Sequence, residues 1–115
     1  MPYTLQGQPA SISQEPRVEM GRTYVPVDEI TRQLGGTTTW DNDTKTATAT
    51  IGQWTATIHM ADPNVDVSGK AVSLQAPPFV ADGFMWVPAS FFHDAFGYRV
   101  DIDPGSQQVS IALPS

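Results

Sequence analysis

Residues able to do acid–base, metal or nucleophilic chemistry are few in this sequence and lie far apart. Histidine occurs only at positions 59 and 93, and cysteine is absent, which excludes disulfides, zinc–thiolate sites and cysteine nucleophiles. His59 alternates with threonines in an extended segment, which predicts an exposed side chain. His93 precedes Asp94, but adjacent helical residues do not face each other, so we expect no dyad. Ser90 has no neighbouring base to activate it.

Two aspartate pairs, Asp41 with Asp43 and Asp101 with Asp103, have the residue types of a carboxylate acid–base pair. Both fall in predicted hairpin turns, where aspartate caps the backbone by local hydrogen bonds. Polar turns do not raise a carboxyl pKa, which disfavours glycosidase chemistry. The spacing at residues 41–43 does not match an EF-hand calcium loop. We therefore predict structural roles for Asp41 and Asp103, and no metal or other cofactor.

The elements that position these residues form a pattern that occurs twice, 62 positions apart. A glycine turn, a short strand ending in Val-Pro, a helix and a glycine stop occupy residues 21–35 and again residues 83–97. Pro26 is expected at the first helical position, since its missing N–H has no helical partner there. Aligning residues 3–51 with residues 65–113 needs no gap and pairs glycines, prolines and apolar positions, which indicates an internal duplication.

The remaining segments predict short antiparallel strands. Residues 45–51 and 54–60 alternate apolar residues with threonine, which is typical of half-buried strands joined in a hairpin. Other predicted strands are residues 17–19, 23–25 and 37–41, and a small hairpin is predicted from residues 3–5 and 10–12.

The expected fold class is α+β, with one domain over residues 1–115. Two repeated units, residues 3–60 and 65–113, each contribute antiparallel strands packed on one short helix. We expect the units to share one core and to be related by a pseudo-two-fold axis.

Charge and hydropathy narrow the classes of partner. The net charge is −6, from 12 acidic and 6 basic residues, which disfavours nonspecific binding to nucleic acid. No apolar run approaches the roughly 18 residues of a membrane-spanning helix, so we expect no membrane insertion. The first residues lack the basic and apolar regions of a signal peptide. If the protein is exported, we expect that signal to have been removed.

Aromatic side chains are the residues of this sequence that most favour a binding function. Those of the second unit are Phe79, Phe84, Trp86, Phe91, Phe92, Phe96 and Tyr98. Core positions are expected for Trp86, Phe92 and Phe96, whose counterparts in the first unit are Tyr24, Ile30 and Leu34. Phe84 and Phe91 instead replace Arg22 and Glu29, which predicts exposed rings. Together with Trp54 they are the predicted ligand-binding residues, as a stacking platform for sugars or an apolar patch for a partner.

Several of these motifs together resemble the copper amine oxidase N-terminal-like domain, also called the stalk domain, in a tandem repeat. They are residues 21–26, 34–35, 40–41, 67–70, 77–78, 86–88 and 96–97. The second unit departs from the family pattern at Phe84-Met85, where Arg-Thr is usual, and at Ile102-Asp103, where Trp-Asp is usual. The resemblance implies an accessory domain away from the copper centre. Amine oxidase activity and copper are therefore not expected here.

Stalk domains of this kind resemble parts of exported and cell-surface bacterial proteins. The resemblance predicts a non-catalytic module, extracellular or on the cell surface, that acts as a scaffold or binds a cell-wall polysaccharide or an adjacent protein domain. The alternative is a stand-alone carbohydrate-binding module using Phe84, Phe91 and Trp54. A small hydrolase is the third hypothesis, and no nucleophile–base pair supports it. The oligomeric state is not predicted.

Overall fold

The computed structural model describes residues 2–113, which form short strands and two short helices. The strands are β1 (Tyr3–Leu5), β2 (Gln8–Pro9), β3 (Arg17–Glu19), β4 (Arg22–Pro26), β5 (Thr37–Asp41), β6 (Thr46–Ile51), β7 (Trp54–His59), β8 (Asn64–Val67), β9 (Lys70–Ser73), β10 (Phe79–Ala81), β11 (Phe84–Pro88), β12 (Arg99–Ile102) and β13 (Val109–Ala112). The helices are α1 (Val27–Gln33) and α2 (Phe91–Phe96). The predicted α+β class is confirmed.

The strands form three sheets. The terminal sheet has the order β12-β13-β1-β2, the central sheet β10-β11-β4-β3, and the five-stranded sheet β5-β6-β7-β8-β9. All pairings are antiparallel except that of β1 with β13, which is parallel and places Tyr3 beside Val109 and Leu5 beside Ile111. This pairing joins the two ends of the chain. Local alternation cannot predict it, because the partners are more than 100 positions apart.

Two details of the sequence prediction are wrong. Pro26 precedes the helix instead of opening it: its φ of −74° and ψ of 120° are extended, and α1 begins at Val27. Pro26 is held in the extended form because it ends β4 and lies opposite Trp86 in the central sheet. The N-terminal hairpin returns at Gln8–Pro9 and not at residues 10–12, since Gln6 and Gly7, both at positive φ, form a two-residue turn.

A single large core connects the sheets and helices. It combines buried residues from both halves of the chain, among them Val25, Ile58, Val87 and Phe92. Val25 and Val87 lie opposite each other at the middle of the β4–β11 ladder, so the central sheet contributes the same residue type twice to this core.

The central sheet is apolar on its other face as well. Tyr24 and Trp86 are buried there in a second cluster with Ala76, and Phe79, Ala81 and Phe84 pack against it. Tyr24 Oη donates to the carbonyl of Pro77 at 2.9 Å, which fastens the loop before β10 over the rings. The Arg17 guanidinium lies 5.6 Å from the Phe79 ring centre and 5.4 Å from that of Trp86, a cation–π arrangement that closes the cluster.

Candidate functional site

Phe84, a residue predicted to bind a ligand, lines a groove together with Trp40, here called the aromatic groove. A cavity of about 370 Å³ is lined by Asp28, Thr38, Trp40, Ala47, Phe84 and Met85. A smaller cavity of about 200 Å³ continues from the same two aromatic residues to Asn42 and Lys45. The groove therefore has aromatic walls and polar groups at both ends.

Three elements position the aromatic residues. Trp40 lies near the end of β5, the edge strand of the five-stranded sheet, opposite the small residue Ala47. Phe84 is the first residue of β11 and follows a two-residue turn in which Asp82 and Gly83 have φ values of 56° and 82°. Positive φ at both turn positions favours glycine and matches the twist of the paired strands. The turn thereby places Phe84 among the residues that line the groove.

Hydrogen bonds hold the polar groups of the groove in place. The Asp28 carboxylate accepts from Arg32 at 3.1 and 2.5 Å, and from the Thr38 hydroxyl. Lys45 Nζ donates to Asn42 Oδ1 at 2.8 Å. Asp28 is thus neutralised by a bidentate ion pair, which suits hydrogen bonding to a ligand more than proton transfer.

The three predicted binding residues have different environments and do not meet. Phe84 is half-buried and lines the aromatic groove. Trp54 is 47% exposed at the start of β7, opposite Ile51, and lies outside the residues that line the groove.

The predicted exposure of Phe91 is wrong. Its side chain is fully buried in the main core, where it makes edge-to-face contacts with Phe92 at 5.0 Å and Phe96 at 5.6 Å between ring centres. Phe91 is the first residue of α2. The physical reason for its burial is that packing its ring with those of Phe92 and Phe96 removes a large apolar area from water. Phe91 is therefore a core residue, unavailable to a ligand.

Trp40 is the groove residue that the sequence reasoning missed. Its indole is 44% exposed, and it follows a run of three threonines, Thr37 to Thr39, on the same strand. A polar strand that carries one large aromatic residue is a signal for an edge position. In the sequence, Trp40 counts only as part of the Trp-Asp element of the family resemblance.

The histidines are at the surface, as predicted. His59 Nδ1 lies 2.8 Å from the Thr46 hydroxyl. The expectation that His93 and Asp94 do not meet is wrong, because His93 Nδ1 lies 3.1 Å from Asp94 Oδ1. Ser90 lines the same shallow cavity as these two residues. Its Oγ, however, is shielded from solvent and forms no hydrogen bond within residues 2–113, so the three residue types do not make the connected relay of a serine hydrolase.

The turn aspartates have the predicted structural role. Asp41 Oδ1 accepts from the backbone N–H of Asp43 at 3.0 Å, and Asp103 Oδ1 accepts from that of Gly105 at 2.9 Å. The bond from Gly105, with a second from the Ser106 hydroxyl at 3.1 Å, lowers the pKa of the Asp103 carboxyl below its ordinary value. Within the described part of the chain, no group of three histidine or acidic side chains is arranged to hold a metal ion.

Neither α1 nor α2 has the length and apolar character needed to cross a bilayer, and these are the helices of residues 2–113.

A comparison with curated proteins finds no match. A family model described as the copper amine oxidase N-terminal domain matches residues 4–111, nearly the whole chain. The chain therefore belongs to the copper amine oxidase N-terminal domain family.

Proposed function

We propose that this chain is a non-catalytic accessory module of an exported bacterial protein, and that it binds a cell-surface glycan in the aromatic groove. Membership of the copper amine oxidase N-terminal domain family supports an accessory role. The single observation that carries the binding proposal is the groove itself, where an exposed Trp40 faces a half-buried Phe84 across a cavity of about 370 Å³.

The chemistry of the groove suits a sugar ring. One face of a pyranose presents C–H groups that pack on an aromatic ring, while its hydroxyls need hydrogen-bond partners at the edge. Trp40 and Phe84 offer the rings. Asp28, Thr38 and Asn42 offer acceptors and hydroxyls already held by intramolecular bonds, so that little ordering is needed on binding.

We further propose that the fold is an internal duplication with pseudo-two-fold symmetry. Positive-φ residues support it, because those at positions 6, 7, 20, 21, 35 and 45 have counterparts 62 positions later at 68, 69, 82, 83, 97 and 107. The β4–β11 ladder supports it too: Val25 lies opposite Val87, Tyr24 opposite Pro88, and Trp86 opposite Pro26. When each residue is replaced by its counterpart 62 positions away, the pair of Tyr24 with Pro88 becomes the pair of Trp86 with Pro26. The register of the ladder is therefore unchanged, as a two-fold axis requires.

Tryptophan fluorescence tests the binding proposal, because the chain has three tryptophans and Trp86 is buried. The titrants are soluble peptidoglycan fragments and neutral oligosaccharides. We expect a saturable emission change that Trp40→Ala abolishes, since removing the indole removes the stacking surface.

Trp54→Ala is the matched control, because Trp54 is as exposed as Trp40 and lies on the same sheet but outside the groove. That variant should keep the response. Loss of the response in Trp54→Ala with retention in Trp40→Ala, or no saturable response across the panel, would show that the aromatic groove is not the glycan site.

A further inference from the structure

A second cavity contains the residues that correspond to those of the aromatic groove at the offset of 62. It measures about 210 Å³, and its lining includes Arg22, Thr23, Gln75, Ser90 and Ile102. Arg22 has the place of Phe84 in the sequence pattern, Ser90 that of Asp28, and Ile102 that of Trp40. This cavity, here called the arginine groove, thus has a cation where the aromatic groove has a ring.

The charge of Arg22 is uncompensated. Its Nη1 donates to Gln75 Oε1 at 2.7 Å, a neutral partner, and no salt bridge to Arg22 is formed within residues 2–113. Glu19, opposite Arg22 in the β3–β4 ladder, is instead 3.1 Å from Arg17. Arg22 therefore keeps forked N–H donors for an anion from outside the chain.

The other charged groups near the arginine groove are already paired. Arg99 and Asp101 form an ion pair at 3.2 Å, and His93 Nδ1 lies within hydrogen-bond distance of Asp94 Oδ1, at 3.1 Å. His93, Asp94 and Arg99 line the neighbouring shallow cavity of about 750 Å³. Gln75 accepts from Arg22, which leaves its amide N–H₂ directed to no partner in the described residues. Arg22 and Gln75 thus bring two donor groups, one of them charged, to a groove with no acidic residue among its described lining residues.

We propose that the arginine groove binds a carboxylate, carried by an acidic sugar or by a peptide. The guanidinium of Arg22 donates a charge-assisted hydrogen bond to the carboxylate, which is stronger than a neutral one, and the amide of Gln75 donates a second bond beside it. Ile102, 39% exposed at the rim, packs against the apolar part next to the carboxylate. This site is separate from the aromatic groove and stands whether or not that groove binds a glycan.

Two-dimensional ¹H–¹⁵N NMR on the full chain tests the proposal with a matched pair of probes, glucuronate and glucose, which differ in the carboxylate. N-acetylalanine is a carboxylate without a sugar. We expect saturable shifts of the Arg22 Nε–H and of the Thr23 and Ser90 amides with glucuronate, with N-acetylalanine or with both, and none with glucose. Shifts with only one of the two probes identify the source as an acidic sugar or a peptide, and shifts with both show that the groove recognises the carboxylate itself. Added salt should weaken the binding.

Arg22→Gln should weaken the interaction on the order of fivefold, the upper end for an exposed ion pair. Lys70→Gln removes the same charge at an exposed site outside the groove and should leave the affinity unchanged. Equal shifts with glucose, equal losses in the two variants, or no saturable shift with either carboxylate would overturn the proposal. Each result is separable from the glycan test, which is read at Trp40.

Discussion

At the scale of single residues, the turn after β12 shows that a carboxylate with a purely structural role can have a lowered pKa. Asp103 accepts from the backbone N–H of Gly105 and from the Ser106 hydroxyl. Both bonds favour the ionised carboxyl, which is why its pKa falls below 3.8. A lowered pKa at an exposed turn with local donors marks a capping role and carries no catalytic meaning.

This gives a prediction on pH dependence. Because the pKa of Asp103 is lower in the folded chain, its ionised form stabilises the fold fully above the ordinary value of 3.8, and this contribution is lost as pH falls through the lower folded pKa. Asp103→Asn cannot titrate. We expect the wild type to have the higher Tm at neutral pH, and the Tm difference to narrow below pH 3.8, as followed by circular dichroism.

Asp43→Asn is the control for that measurement. It removes a charge at the corresponding turn, where the Asp43 side chain accepts no hydrogen bond among the described residues and the cap is Asp41. Its Tm difference from the wild type should stay constant over the same range. A narrowing as large as that of Asp103→Asn would assign the effect to overall charge and not to the cap.

The binding residues show where sequence reasoning reaches its limit at this scale. Phe84 and Phe91 lie 62 positions after Arg22 and Glu29, and in the sequence these two positions look equivalent. Phe84 lines a groove, whereas Phe91 is buried by contacts with Phe92 and Phe96. An apolar residue at a position expected to be exposed can either bind a ligand or enlarge the core, and only tertiary packing decides between these outcomes.

At the scale of elements, local patterns predicted most strands and both helices. In β6 and β7 the strict alternation of apolar residues and threonine corresponds to burial of one face. Gly97, at φ 78°, ends α2 in the left-handed conformation, as expected. The parallel pairing of β1 with β13 was not predictable, and the edge position of β5 that exposes Trp40 had the threonine run as its one local signal. Strand neighbours far apart in sequence are chosen by the whole core and leave no trace in local periodicity.

The junction between α1 and β5 gives a second prediction. Gly36 lies so close to β6 that a Cβ at this position would be 2.3 Å from the Thr50 carbonyl oxygen and 2.7 Å from Ile51 Cγ1. Since the first contact is backbone, Gly36→Ala must displace the strand. We expect a loss of about 1–3 kcal/mol in the free energy of unfolding, measured by urea denaturation at unchanged m-value.

Gly105→Ala is the control, because a Cβ there would meet only Asp103 Oδ1, at an ordinary 3.5 Å. This variant should lie within about 0.5 kcal/mol of the wild type, as surface substitutions usually do. A stability of Gly36→Ala equal to that of Gly105→Ala would mean that α1 and β6 are not held as closely as the structure describes.

At the scale of the whole molecule, the proposed duplication accounts for the sheets except for one strand. In the terminal sheet β13 lies directly beside β1, but in the five-stranded sheet β7 separates β6 from β8, the strands at the corresponding positions. β7 has no counterpart after β13, which is the last strand within residues 2–113. It keeps β6 and β8 parallel to each other, as β13 and β1 are, since it pairs antiparallel with both.

Strands from the two halves of the chain pair with each other, which leads to the last prediction. Three ladders cross the boundary near residue 62: β1 with β13, β4 with β11, and β7 with β8. A fragment of residues 1–61 alone therefore leaves Val25, Ile58 and the apolar face of α1 without the partners that bury them. We expect this fragment, and residues 62–115 alone, to lack a cooperative monomeric melt. An equimolar mixture should recover a cooperative melt and form a 1:1 complex, as measured by ultracentrifugation.

The reference is the full chain with a protease site inserted between residues 62 and 63, whose two pieces should stay associated after cleavage. A cooperative melt of monomeric residues 1–61 would show instead that the first unit buries its own core, and would remove the shared core on which the proposed pseudo-two-fold arrangement depends.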